Sequence, residues 1–131
     1  MNLDKSALIA AGYRVSVNID ATLVTKCATS VKQAYLLHYV TEAEITAASA
    51  TDVIGKCWLA LTFLRLLLDT EFATRTGGER KNMEWGQRAY DYMHTIKSEC
   101  HMALEALDAD HPHQSAINDI CEVYFKTQIF G

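Results

Sequence analysis

The stretch TDVIGKCWLALTFLRLLLDTEF, residues 51–72, narrows the choice of fold more than any other part of the chain. As a helix it would be apolar around most of its circumference. Cys57, Trp58, Leu59, Ala60, Leu61, Phe63, Leu64, Leu66, Leu67 and Leu68 leave only a narrow polar arc at Thr62, Arg65 and Asp69. A helix of that kind must be covered on several sides. It is too short to cross a bilayer, which takes about 20 uninterrupted apolar residues, and Arg65 would lie within the span. The expectation is a central helix wrapped by the rest of the chain, with no membrane segment.

The chain is long enough to supply that wrapping. A single domain over residues 1–131 can bury roughly two-thirds of the surface that its unfolded form exposes, with no need of metal or disulfide. Half of the residues are hydrophobic and only one is proline, a balance that argues for a packed globule over a disordered segment. The net charge of −4 disfavours the broad phosphate contacts of a nucleic-acid binder, so any DNA contact is expected to be local and transient. The start, MNLDKSALIAAGY, carries an early Asp and Lys and no long apolar core, unlike a secretory signal. A cytoplasmic, reducing location is therefore expected, in which Cys27, Cys57, Cys100 and Cys121 behave as buried free thiols.

Periodicity and capping residues set out the helices. Leu3, Ala7, Leu8 and Ala11 predict a short first helix, capped by Asn2 or Asp4 and ended by Gly12. Residues 13–19 alternate and read as an extended connector that lays Val15, Val17 or Ile19 on the core. Asp20 caps a second helix, whose rhythm through Leu23, Val24, Cys27, Ala28, Val31, Ala34, Tyr35 and His38 runs to about Tyr39. Thr41 and Glu44 form a capping box for a short helix, and residues 49–52 supply caps for the central one. Helical spacing resumes at Ala89, Tyr90, Met93, Ile96, Cys100, Ala103, Leu104 and Leu107, in a long helix over about 84–108. Pro112 opens a last helix through Ala116, Ile117, Ile120, Cys121 and Tyr124. The predicted fold is all-α: a small up-and-down bundle of four main helices with one or two short ones.

Chemistry-bearing patterns are sparse. Zinc takes about four converging ligands, whereas His94 and His101 are two turns apart and Cys100 belongs to the core face; His111 and His113 add no matching spacing. Neither HExxH nor inward-facing ExxH pairs occur, and no nucleophile elbow or matched His–Asp arrangement is present. No catalytic residue, metal or cofactor is expected, and the chain is read as not an enzyme. Two segments leave partner contacts open, the first of them readable equally as a plain solvated loop. Arg75, Arg80 and Lys81 flank Gly77-Gly78, a polar loop or hairpin whose glycines permit a tight reversal, and Trp85 and Arg88 follow. Ile129 and Phe130 put large apolar groups in the tail, where they must fold back or dock on another chain.

The order of these parts resembles the small head-completion, or head–tail connector, proteins of long-tailed phages and prophages. The likeness lies in a short first helix, a helix such as 21–39, an apolar helix running into a polar reversal (LRLLLDTEFATRTGGERK), further helices and a tail. The resemblance implies a non-enzymatic structural protein that self-associates into a ring and meets portal or tail-completion proteins, in the host cytoplasm and then the virion. It also implies that the basic loop and the terminal segment make the contacts. The alternative from the residues alone is a small cytosolic binding or regulatory module whose groove near Trp58, Tyr90 and Met93 takes a peptide or small molecule.

Overall fold

A computed structural model shows an all-helical protein. It describes residues 1–13, 15, 17–67, 69 and 80–107; for residues 67, 80–90, 92 and 93 the description is of the backbone. The helices are α1 (Lys5–Ala10), α2 (Ala21–Ala34), α3 (Glu42–Ala47), α4 (Val53–Leu67) and α5 (Arg80–Ala106), with one 3₁₀ turn at Leu36–His38. There is no strand among the described residues. The central position of α4 holds: α2 packs along one side of it and α5 along another, and α1 rests on α2. The expected last helix after Pro112 and the expected place of Cys121 lie outside the described residues.

Local side chains fix most helix starts. Asp4 caps α1 by accepting from the Ala7 amide at 2.8 Å. Gly12 ends it at φ +97°, with Gly12 N donating to Ile9 O and Tyr13 N to Leu8 O. Those two bonds make the double closure of a Schellman motif, which needs a left-handed residue where glycine stands. The motif turns Tyr13 onto Phe63 of α4, ring centroids 4.9 Å apart. Asp20 accepts from Thr22 N at the start of α2. Thr41 and Glu44 form the predicted capping box of α3. Asp52 binds both Ser49 N and Gly55 N with its two oxygens, holding the turn into α4.

The structure departs from the sequence reading at several places. The second helix stops at Ala34, well short of Tyr39, because Tyr35 leaves helical geometry at φ −134°, ψ −62°. An unbroken helix would turn Leu36 roughly 140° away from Val31; the break instead buries Leu36 completely and Val40 nearly so. The connector does lay Val15 and Ile19 on the core, two of the three residues expected there, while Val17 is 90% exposed at a turn. Thr62 does not lie on a polar arc of α4. Every residue from Cys57 to Leu64 is buried, and of the three residues of the expected arc Arg65 and Asp69 are exposed and Thr62 is not.

The long helix also starts earlier than expected, at Arg80. Arg80 and Lys81 therefore belong to its first turn and not to a loop. Two cations at a helix N-terminus oppose the helix dipole, but the run ERKNMEW contains good helix formers and no glycine or proline to delay the start. Its C-terminal half carries Ile96, Cys100, Ala103 and Leu104 into the core. It ends one residue before Leu107, which adopts a left-handed φ of +48°.

Candidate functional site

The residues singled out from the sequence do not converge on one place in the described structure. Arg75, Gly77, Gly78, Ile129 and Phe130 lie outside the described residues. Arg80, Lys81, Trp85 and Arg88 stand on the first half of α5, where helix register sets Lys81, Trp85 and Arg88 at i, i+4 and i+7 along one stripe. The register turns Arg88 roughly 80° and Lys81 roughly 60° from Ile96 of the core stripe, whereas Trp85 lies within roughly 20° of it. Trp58 is a core residue and not a groove wall: it is buried, and its indole N–H donates to Ala28 O at 2.9 Å. Lys32 lies over that ring at 5.9 Å and pairs with Glu42 at 2.7 Å. The side chains of Tyr90 and Met93 are outside the description.

What the fold does assemble is a pocket at the junction of three helices. Ser30, Val31 and Ala34 of α2 with Tyr35 just after it, Leu61 and Arg65 of α4, and Lys97 of α5 line an open hollow of about 80 Å³. Leu61 is fully buried and Val31 nearly so, which makes part of the lining apolar core. The Tyr35 hydroxyl donates to the Lys97 carbonyl oxygen at 2.5 Å, bridging α2 to α5. Burial, aided by neighbouring Cys100 and Tyr39, holds that hydroxyl protonated well above the ordinary tyrosine range.

The cations of the pocket differ in commitment. Arg65 uses its Nε to contact both carboxylate oxygens of Asp69, at 3.2 and 3.1 Å, so its two terminal nitrogens carry none of that contact. The Lys97 ammonium has no ion pair or hydrogen bond among the described residues, and the residue is exposed. Asp69 also accepts from the Cys27 thiol at 3.6 Å. Burial first, then the Asp69 charge and hydrogen bond, push that thiol up to about 11, while Arg65 pulls the other way. A thiol so placed is a poor nucleophile, because the reactive form is the thiolate.

A second polar string runs along the other end of α5. Tyr35 and Tyr39 rings lie 5.2 Å apart, the Tyr39 hydroxyl meets His101 Nδ1 at 2.6 Å, and His101 Nε2 lies 3.6 Å from Glu105 Oε1. Among the described residues no group of three or more His, Cys, Asp or Glu is close enough together to hold a metal. No described helix is long and apolar enough to cross a membrane.

Sequence reasoning missed the pocket because its polar members are far apart in the chain, Tyr35 and Lys97 by 62 residues. Arg65 was legible as an exposed cation on an apolar helix. The helical rhythm places Tyr35 at a core position, and nothing in the neighbourhood of Lys97 distinguishes it. No protein-family model, curated protein or solved structure matches this chain.

Proposed function

We propose that this chain is a non-enzymatic assembly protein of the head–tail connector kind, which associates with copies of itself and with portal or tail-completion proteins, in the host cytoplasm and the virion. The observation that carries this reading is the construction of α5. At about 1.5 Å per residue its 27 residues run roughly 40 Å, against roughly 22 Å for the 15 of α4. Among its described side chains the buried ones are Ile96, Cys100, Ala103 and Leu104, and the half of the helix before Ile96 carries the Lys81–Trp85–Arg88 stripe. Cations alternating with an aromatic suit an acidic protein face, since aromatic and arginine side chains are favoured at interface centres. Exposed Leu37, Met102 and Leu107 add apolar surface nearer the other end of the helix.

Size-exclusion chromatography with light scattering tests it. The expected result is a concentration-dependent oligomer that Lys81→Glu with Arg88→Glu returns to monomer. A strict monomer at high concentration, unchanged by added portal protein, overturns the reading.

The three-helix pocket favours a second reading, a small binding module. Its hollow is open, partly apolar and bordered by two cationic residues, the composition of a site for a small anion with a hydrocarbon part.

A further inference from the structure

We infer that the pocket between α2, α4 and α5 binds a free monocarboxylic acid with a short aliphatic tail. The inference rests on the second reading above and is independent of assembly. Size sets the first limit. An engineered cavity of about 150 Å³ accepts the six carbons of benzene, so about 80 Å³ accommodates a tail of roughly three or four carbons. That is a whole small acid; the last residue of a polypeptide would bring its peptide group as well. The lining sets the second limit, because Leu61, Val31 and Ala34 offer hydrocarbon and no charge.

Charge sets the third. Among the described residues both charged members of the lining are cationic, Arg65 and Lys97, and none is acidic. Lys97 has no anionic partner among the described residues, and Asp69 engages Arg65 through Nε. The terminal guanidinium nitrogens and the ammonium are therefore the groups that take a carboxylate, while its tail lies on Leu61. Tyr35 fixes the geometry: its hydroxyl is already spent on the Lys97 carbonyl, so it holds α5 against α2 and does not compete for the ligand.

The test is titration of the full chain with sodium isovalerate, followed by amide and methyl chemical shifts, beside acetate, isopentanol and a pentapeptide ending in valine. Expected are shifts centred on Ala34, Leu61 and Lys97 that saturate in the millimolar range. Acetate should bind at least about tenfold more weakly, since each buried methylene contributes about fourfold. Lys97→Gln, at an exposed position, should weaken binding at least threefold, and Ser30→Leu, which fills the hollow, should abolish it. Isopentanol binding as well as isovalerate would overturn the acid while leaving a ligand pocket. Tighter binding of the peptide would overturn the free acid in favour of a chain end. No localised shift with any probe would overturn the pocket reading as well.

Discussion

The hydroxyl of Tyr39 lies 2.6 Å from Nδ1 of His101, and their rings meet edge to face with centroids 5.3 Å apart. This pair ties the residue just after the 3₁₀ turn to the last turns of α5, across 62 residues of sequence. Whichever partner donates, removing one loses the bridge. Tyr39→Phe keeps the ring contact and should cost about 0.5–1 kcal/mol. Measured against His101→Ala in a double-mutant cycle, the pair should show a coupling of about 0.5 kcal/mol or more. Additive effects would mean that the two side chains are solvated independently.

The Cys27 thiol supplies a pH dependence. Its ordinary value is 9.0, and burial beside Asp69 pushes it up to about 11 in the folded chain. The folded state thus keeps a proton that the unfolded state loses. The associated stability is whole below pH 9 and disappears as pH rises through 11, a loss of about 2–3 kcal/mol. Urea midpoints should fall across that window more steeply for the native chain than for Cys27→Ala. Asp69→Asn should give an intermediate slope, because burial remains when the charge is gone. Parallel curves for native and Cys27→Ala would show that Cys27 ionises in the folded state at its ordinary pH.

Features legible in the sequence were the local ones. Asp4, Asp20, Thr41 with Glu44, and Asp52 each act within three residues of themselves, so their roles follow from order alone. The apolar run of α4 announced a helix covered on several sides for the same reason. The unwinding at Tyr35 was not legible, since helical rhythm continues through it and only the space awaiting Leu36 decides the matter. Thr62 looked polar because its type is polar; its burial depends on how α4 is wrapped. Arg80 and Lys81 looked like loop residues next to Gly77-Gly78, and helix propensity prevailed over the dipole. The pocket is a product of tertiary placement, drawing Tyr35 from the end of α2, Arg65 from α4 and Lys97 from α5.

Gly55 gives a prediction that runs against helix propensity. An alanine inside a helix is ordinarily better than glycine by about 0.5–1 kcal/mol. Here a methyl group would overlap the carbonyl of Ser49 and sit 3.3 Å from the Ala50 Cα. Both are backbone, in the turn that Asp52 clamps, so neither can swing aside as a side chain would. Overpacking should win, and Gly55→Ala should destabilise by about 2 kcal/mol or more in a urea titration. Unchanged or raised stability would show that the turn over residues 49–52 yields.

Thr62 is the converse case, a polar group where the fold would accept a hydrocarbon. Its side chain is completely buried and its Oγ1 has no hydrogen-bond partner among the described residues, not even the carbonyl one turn back that helical threonines often use. Desolvating a hydroxyl without a partner costs roughly 1–3 kcal/mol by mutational measure. Valine has nearly the same shape and nothing to desolvate, so Thr62→Val should raise stability by about 1 kcal/mol. Thr62→Ser keeps the hydroxyl and deletes a buried methyl, so it should lower stability by about 1 kcal/mol. The pair separates polarity from volume: urea midpoints should move in opposite directions with the slope unchanged. If Thr62→Val were neutral or destabilising, the hydroxyl must find a partner in solution, and α4 would be less tightly wrapped at its middle than the burial of its neighbours implies.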